Sequence, residues 1–349
     1  MGNLNVILFI ILILMFCLFC TRTIDNMTPD SGSTYSGDFK ISGDTNIEQS
    51  VRKPTYSGNV NIPSGMSVIS IHNSGFFSCC SVKLYNIVNY INLNSKIPDY
   101  VDSSQQFNWY KKDTKDITYE YFEHYDNIKN ITINYPINYH YDNQFTDYSK
   151  LDYNNITSVV KKYFSPSKQI INIIKNIEQK YNLVYDNICV LFYRGNDKIT
   201  ETQLCNYNEY LNYANLIIKD NPNILFLIQS DETEFIRFMI KEFPNNSFYF
   251  KDEIRHIPKC RSTVDIVMKN KNYDFSKYYL AITLIMSKCK YIICGSGNCS
   301  MWIMLYRGNN NNVYQNLNNK WLIKHDDIHW KFIANEDETI SSVALNAHK

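Results

Sequence analysis

The second half of the chain alternates short apolar runs with segments of helical periodicity. Each run has the length of a β-strand and is apolar almost throughout, whereas a strand with one solvated face alternates apolar and polar residues. The runs cover residues 188–193, 224–229, 247–250 and 291–294, and the helical segments between them cover 208–219, 232–243 and 276–289. Such strands are typical of a parallel sheet with helices on both faces. The pattern therefore predicts an open α/β domain over residues 165–332.

A helix is predicted where this domain begins. Ser165 has the position of an N-cap residue, and Pro166 stands where the first helical turn should be. Beyond them, Ile170, Ile174 and Ile177 recur at helical spacing. We expect this apolar face to pack against the core.

Segment 66–164 has a weaker pattern and is interpreted as a first, N-terminal lobe. A strand is predicted at 67–72 and a helix at 80–93, joined by a turn at 73–77. Residues 94–152 are rich in Tyr and Asn and have no clear period. We predict irregular structure with short helices there.

An uninterrupted apolar run, 6–20, stands near the N-terminus. It is rather short for a membrane span of ~20 residues, and it lacks the basic flank and the cleavage site of a signal peptide. We expect an uncleaved anchor over 1–22 in a single-pass type II protein of a host endomembrane or a virion membrane. Because Arg22 is the first basic residue and follows the run, the positive-inside rule does not fix this orientation. The Ser- and Gly-rich segment 23–65 is predicted to be a flexible stalk, and 333–349 a tail.

The charge balance narrows the choice of partners. The 349 residues carry a formal net charge of +1, so no diffuse field attracts nucleic acid, and an anionic ligand must be held by local groups. The ten cysteines form no paired metal-ligand motif, and no Asp-x-Asp sequence follows an apolar strand. We therefore expect neither a nucleic-acid partner nor a metal cofactor.

Polar residues follow each predicted strand at its carboxyl end, where open parallel sheets bind ligands. After 188–193, Arg194 offers a planar fork of donors and Lys198 a mobile positive charge, which suit a diphosphate. After 291–294, two glycines let the backbone approach a ligand at the start of a predicted helix, 298–306. The candidate ligand-binding residues are Arg194, Gly195, Asp197, Lys198, Asp231, Gly295, Ser296, Gly297 and Asn298.

Each of these candidates has a simpler alternative. Arg194 and Lys198 would also suit a surface loop in which they pair with Asp197 and Glu201.

Transfer of a group to a hydroxyl requires a base, for which Glu201 is the first candidate and Asp231 the second. An Asp that follows a strand and precedes a helix is usually an N-cap, which is the alternative for Asp231.

The Gly-Ser-Gly sequence also admits a dinucleotide-binding interpretation. The sequence has no third glycine in register, and no acidic residue follows about 20 positions on. Residues 307–349 are judged too short and too polar to complete a βαβ unit. We therefore disfavour this interpretation.

Two segments resemble motifs of the fucosyltransferase-like GT-B enzymes, which include the α1,6- and α1,2-fucosyltransferases and the nodulation fucosyltransferases. Segment 190–201 (VLFYRGNDKITE) is similar to their signature of a strand, Arg, Asp-Lys and a nearby Glu. Segment 291–305 (YIICGSGNCSMWIML) is similar to their last motif, a strand followed by small polar residues and an apolar helix. The resemblance covers roughly 188–312. The Asn, Ile and Tyr usage also resembles that of giant-virus proteins.

The resemblance implies a two-lobed GT-B fold, a GDP-sugar donor and inverting transfer without a metal. Arg194 would hold the β-phosphate with Lys198 beside it, and Ser296 and Asn298 would contact the donor. Glu201 would be the carboxylate on the acceptor side, and both Glu201 and Arg194 would be catalytic. The first lobe would bind a glycan or glycoprotein acceptor at Asn73, Gly75, Phe76 and Phe77, although the two phenylalanines are more often core residues.

The sequence departs from the family pattern at several positions. Phe192 stands where the family often has His, and Gly195 replaces a frequent second Arg. Glu201 comes one residue early, and Ala281 lies near where one branch places a guanine-reading Asp, for which Asp265 is a candidate substitute. These departures leave the phosphate contacts and the base specificity open.

Taken with the anchor and the predicted sheet, the motifs favour a membrane-anchored glycosyltransferase that moves a sugar, fucose by resemblance, to a glycan. The alternative from another class is a catalytically inactive glycan-binding or virion-surface protein that retains the fold. A Rossmann methyltransferase is disfavoured because its glycine-rich loop would stand near the start of the sheet.

Overall fold

The computed structural model of the chain describes residues 38–41, 67–129, 131–325 and 328–333. The predicted anchor, 1–22, and the predicted tail beyond residue 333 lie outside the described residues, as does most of the predicted stalk. The described residues belong to one compact unit that begins at Asp38. Among them, none of the helices combines the length and the apolar character needed to cross a membrane.

A seven-stranded sheet forms the larger part of the molecule. Its strands are β4 Ile188–Tyr193, β5 Leu225–Ser230, β6 Ser247–Phe248, β7 Tyr291–Gly295, β8 Val313–Leu317, β9 Lys320–His325 and β10 Ile328–Ile333. They lie in the order β10-β9-β8-β7-β4-β5-β6, and the five from β8 to β6 are parallel. All six residues of β4 are buried, because this strand has parallel neighbours on both edges and lies under helices. The predicted parallel α/β sheet is confirmed.

The helices predicted at 80–93, 208–219, 232–243, 276–289 and 298–306, and the one near Pro166, are present within a few residues of those bounds. The helices Tyr153–Phe164 and Val264–Val267 were not predicted. The helices of the described residues are α1 Phe76–Asn94, α2 Thr118–Tyr121, α3 Tyr153–Phe164, α4 Lys168–Tyr181, α5 Tyr207–Asp220, α6 Thr233–Glu242, α7 Val264–Val267, α8 Asn272–Lys288 and α9 Asn298–Arg307. The predicted start of α4 is wrong. Ser165 follows the end of α3, and Ser167 is the N-cap of α4, with a side chain that accepts a hydrogen bond from the backbone N–H of Ile170 at 3.4 Å.

The first lobe contains a small sheet instead of a second large one. β2 Ser67–Ile71 pairs in parallel with β3 Tyr100–Asp102, and β1 Asp38–Ile41 pairs with β2 in the antiparallel direction. The predicted strand at 67–72 is confirmed. The stalk prediction is wrong for Asp38–Ile41, because the backbone of these residues is hydrogen-bonded to β2.

The chain after the glycine-rich turn completes a βαβ unit. β7 is followed by α9, and β8 returns parallel to β7, with Ile292 opposite Val313. The prediction that 307–349 is too short and polar for such a unit is therefore wrong. The signal in the sequence is weak because β8 is only five residues long and contains two buried polar residues, Gln315 and Asn316. The Gln315 side chain donates to Ser296 Oγ, and the backbone carbonyl of Asn316 accepts from the same hydroxyl.

Segment 66–164 packs directly on the helix that follows the glycine-rich turn. The indole of Trp302 in α9 is fully buried, with ring centroids 6.1 Å from Phe77 and 4.7 Å from Phe164. Its Nε1 donates a hydrogen bond of 2.9 Å to Ser81 Oγ in α1. α1 and α3 of the first lobe therefore pack against α9.

Candidate functional site

The sheet topology brings the two predicted ligand loops to the same edge. β4 lies between β5 and β7, and Phe192 is opposite Gln229 on one side and Cys294 on the other. Because all three strands are parallel, their carboxyl ends meet. The two loops lie close together: a Cβ built on Gly297 would lie 3.9 Å from Lys198 Cε.

Arg194 is held in place by three side chains. Its Nε donates to Asp231 Oδ2 at 2.9 Å, its Nη1 to Tyr279 Oη at 3.2 Å, and its Nη2 to Asp197 Oδ1 at 3.2 Å. The side chain is only 25% exposed. Three of its five N–H donors are thus engaged, and two have no acceptor among the described residues.

Lys198 lies beside Arg194 and is paired with Glu201. Its Nζ is 2.5 Å from Glu201 Oε2 and 3.9 Å from Asp197 Oδ2, so Asp197 lies between the two cations. The Lys198 side chain is 12% exposed and that of Glu201 22%. The ion pairs of the surface-loop alternative are therefore present, but they are partly buried at the strand edge.

Asp231 does not cap the helix that follows it. Its Oδ1 accepts from the backbone N–H of Gly195 at 3.0 Å, and its Oδ2 accepts from Arg194. The N-cap of α6 is Glu232, which makes no side-chain capping bond. The N-cap interpretation is wrong, and Asp231 instead fixes the loop that carries Arg194.

Glu232 is a buried carboxylate that sequence reasoning missed. It accepts hydrogen bonds from Tyr207 Oη and from the backbone N–H of Asn196, and Lys259 Nζ lies 3.6 Å away. A Cβ on Gly195 would lie 1.7 Å from Glu232 Oε2 and 2.8 Å from Tyr193 Cε1, so a larger residue there would displace the Glu232 carboxylate. No local sequence pattern predicts this contact, because the two residues follow different strands, β4 and β5.

The N-terminus of α9, at the glycine-rich turn, lies close to Lys198. Gly297 is the N-cap of α9, no side chain caps this helix, and the N–H groups of Asn298, Cys299 and Ser300 have no acceptor among the described residues. Uncapped N–H groups at a helix N-terminus attract anions. The Gly297 backbone and Lys198 together form a corner that we call the anion corner, defined by Lys198, Gly297 and the first turn of α9.

The side-chain oxygens of Ser296 and Asn298 bind other parts of the protein, contrary to expectation. Ser296 Oγ donates to Asn316 O at 2.8 Å and accepts from Gln315 Nε2 at 2.9 Å. Asn298 Oδ1 accepts from Ser81 Oγ at 2.7 Å. Ser296 and Asn298 were expected to contact a ligand, but both oxygens are engaged in hydrogen bonds that hold the turn. Gly295 and Gly297 contribute only their backbone.

A cleft opens beside Arg194. Arg194 and Asp231 line it from the strand ends, and Arg255, Asp265 and Tyr279 line it from the segment that carries α7 and α8. Arg255 Nη2 donates to Asp265 Oδ1 at 2.8 Å. Asp265 therefore lies in the same cleft as Arg194, while Ala281 is buried and is not among the lining residues.

The predicted acceptor loop is a structural element. Phe76 is 1% exposed and packs among aromatic rings, and Phe77 is 2% exposed with its ring centroid 5.0 Å from that of Tyr279. Asn73 Nδ2 donates to Gln105 O at 2.7 Å, and its Oδ1 accepts from Asn108 N at 2.9 Å. The acceptor role of Phe76 and Phe77 is wrong because neither ring is accessible. Gly75 begins α1, and a Cβ there would meet nothing within 4 Å.

In the part of the chain that the structure describes, no three His, Cys, Asp or Glu side chains are grouped as a metal site requires. Fold and site together define a mixed α/β protein with a polar, cation-bearing cleft at the carboxyl edge of a parallel sheet. Such edges bind ligands in other open α/β sheets.

Comparison with known proteins gives structural likeness alone. No protein-family model and no curated protein sequence matches the chain. A crystal structure of NodZ α-1,6-fucosyltransferase soaked with GDP-fucose is 11% identical, with a TM-score of 0.42, over 78% of this chain and 99% of that one. Fucosyltransferase NodZ from Bradyrhizobium has the same identity and coverage with a TM-score of 0.40. NodZ co-crystallised with GDP has a TM-score of 0.39 at 11% identity, over 77% of this chain and 98% of that one.

Replacement of Gly195 tests the close approach of the two strand ends. We expect Gly195→Ala to lower the free energy of unfolding by about 1–3 kcal/mol or more, because the methyl group overlaps the Glu232 carboxylate. Gly75→Ala is the matched control, and we expect a change within about 0.5 kcal/mol since the space around Gly75 is open. Urea unfolding measures both. Equal effects of the two substitutions would contradict the proposed contact.

The buried Glu232 carboxylate makes stability depend on pH. Burial raises the pKa of Glu232 above its ordinary value of 4.5. The folded protein therefore keeps this proton where the unfolded chain loses it, so the stabilisation is full below pH 4.5 and is lost as the pH rises through the folded-state pKa. We expect the unfolding free energy of the wild type to fall, relative to that of Glu232→Gln, from about pH 4.5 toward neutral pH. Parallel curves for the two proteins would show that Glu232 does not titrate in this way.

Proposed function

We propose that the protein binds a nucleoside diphosphate sugar at the carboxyl edge of the large sheet and transfers the sugar to a hydroxyl group. The observation that carries the proposal is the proximity of Lys198 to Gly297, the N-cap of α9, with Arg194 on the other side of Asp197. Among the described residues, no side chain caps this helix. Backbone N–H groups, an ammonium and a guanidinium are the groups that bind phosphate oxygens in proteins.

The ion pairs at the site set the order of events when a diphosphate binds. Arg194 is fixed by Asp231 and keeps that partner, because Asp231 also accepts from the Gly195 backbone. Lys198 has a single close partner, Glu201. A diphosphate carries more negative charge than one carboxylate and also accepts from α9, so it displaces Glu201 from Lys198. Donor binding thus frees the Glu201 carboxylate.

This exchange supports a role for Glu201 as the base. The acceptor hydroxyl attacks the anomeric carbon on the face opposite the diphosphate, its proton passes to Glu201, and the bond from the anomeric carbon to the diphosphate oxygen breaks. The configuration at the anomeric carbon is inverted. Lys198, Arg194 and the α9 N-terminus stabilise the negative charge that builds up on the leaving diphosphate. These groups can supply the charge neutralisation that a metal ion gives in other transferases.

The neighbouring cleft supports a nucleoside partner. Tyr279 and Phe275 offer aromatic faces, and Asp265 offers carboxylate oxygens to adjacent N–H groups such as those of guanine. On the motif resemblance of 190–201 and 291–305, we propose GDP-fucose as the donor and a glycan as the acceptor.

A catalytically inactive glycan-binding protein is the second candidate. It is favoured by the carboxylate partners that Arg194 and Lys198 already have, since a site without turnover needs no exchange of partners. From the sequence alone, we also propose that 6–20 anchors the protein in a membrane with type II topology. This segment lies outside the described residues.

The proposed donor site is tested by a nucleotide panel in the presence of EDTA. We expect GDP to bind the wild type, and Lys198→Ala to weaken this binding by roughly 10- to 100-fold, since it removes a charge-assisted contact. Glu201→Gln should retain GDP binding but lower turnover of GDP-fucose by about 10²–10⁴-fold, as expected on losing a general base. Calorimetry measures the affinities, and release of GDP measures turnover.

The matched control is Lys288→Ala. Lys288 also pairs with a glutamate, Glu178 at 3.0 Å, but at the far end of α8. It should change neither affinity nor turnover. If no nucleoside diphosphate binds the wild type, the donor site does not exist. If GDP binds and the sugar is neither transferred nor hydrolysed, the inactive candidate is favoured.

A further inference from the structure

One tyrosine from the first lobe binds the peptide groups of the glycine-rich turn. The backbone N–H of Gly297 donates to Tyr148 Oη at 3.0 Å. The same hydroxyl lies 3.2 Å from Gly297 O and 3.2 Å from Gln144 O, and it donates its single proton to one of these carbonyls. Both peptide groups of Gly297 therefore have their positions defined by a side chain about 150 residues earlier in the chain.

Tyr148 is itself firmly fixed. It is completely buried, its backbone N–H donates to Gln315 Oε1 at 2.9 Å, and its carbonyl accepts from Tyr153 Oη at 2.8 Å. The amide of Gln315 also donates from Nε2 to Ser296 Oγ at 2.9 Å and to Thr146 O at 2.8 Å. Two side chains, Tyr148 and Gln315, thus connect this segment to the turn.

The orientation of the Gly297 peptide determines the direction of the first backbone N–H groups of α9 in the anion corner. Gly297 has no side chain to restrict its backbone, and no side chain caps α9. Its carbonyl accepts the first helical hydrogen bond, from Met301 N at 2.9 Å. Burial raises the pKa of Tyr148 well above its usual value, so the phenol remains neutral and can donate and accept at once.

We propose that Tyr148 is a positioning residue for the diphosphate: its hydroxyl holds the Gly297 peptide so that the first N–H groups of α9 point toward Lys198. The inference rests on the proposed function, since it assumes that the anion corner receives a diphosphate. It makes the first lobe a part of the donor site without any contact between Tyr148 and the ligand.

The test compares Tyr148→Phe with Tyr163→Phe. Both residues are buried, but Tyr163 Oη has no hydrogen-bond partner among the described residues, so loss of this hydroxyl removes no hydrogen bond seen there. We expect Tyr148→Phe to weaken GDP binding by roughly 5- to 50-fold, because the Gly297 N–H loses its acceptor. Guanosine, which lacks the diphosphate, should bind both variants and the wild type equally in ligand-observed NMR. An equal loss for GDP and guanosine, or no loss for either, would overturn the proposal.

A second measurement does not depend on the nucleotide. In the ligand-free protein, amide hydrogen exchange at Gly297 and Met301 should be at least about tenfold faster in Tyr148→Phe than in the wild type and in Tyr163→Phe. If the wild type binds no nucleoside diphosphate, the proposed function is wrong. Exchange rates at Gly297 and Met301 that are unchanged in Tyr148→Phe would contradict the positioning role of Tyr148. Should Tyr148→Phe not fold, Tyr153→Phe loosens the Tyr148 backbone and should give the same selective loss of GDP affinity at smaller size; no selective loss would overturn the proposal.

Discussion

The parallel pairing of β4 with β5 on one edge and β7 on the other is the constraint on which the site depends. It places the Arg194 loop between a carboxylate-bearing strand end and a glycine-rich one. Asp231, after β5, binds the guanidinium of Arg194. Gly297, after β7, lies close to Lys198. If either neighbour of β4 were exchanged, the same residues would lie on the surface as unrelated ion pairs. Pairing order, more than any single side chain, therefore defines the cleft.

The charges at this edge are arranged to be exchanged. Arg194 and Lys198 flank Asp197, Arg194 also binds Asp231 and Lys198 also binds Glu201, so two cations are paired with three carboxylates at this edge. A bound diphosphate would take over Lys198 and the backbone donors of α9, which leaves Glu201 free to accept a proton. The first lobe contributes to this edge through Tyr148, which orders the glycine-rich turn. If the proposed donor binds here, its binding is linked to the packing of the two lobes through the N-terminus of α9.

The sequence predicts those parts of the fold that depend on local pattern. β4 was expected at 188–193 and lies there, because a strand buried on both faces is apolar at every position. The pairing partners of single side chains depend on contacts distant in sequence and could not be predicted. Asp231 stands where an N-cap residue is expected but binds Arg194. Glu232, which follows β5, lies against Gly195, which follows β4. Tyr148 stands in a Tyr- and Asn-rich segment with no pattern of its own.

The most direct measurement is a crystal structure of the protein with GDP bound in the absence of a metal ion. The account predicts that the diphosphate lies against the first turn of α9 and Lys198, that Arg194 retains Asp231, and that the Glu201 carboxylate has moved away from Lys198. A diphosphate bound elsewhere, with the Lys198–Glu201 pair intact, would contradict it.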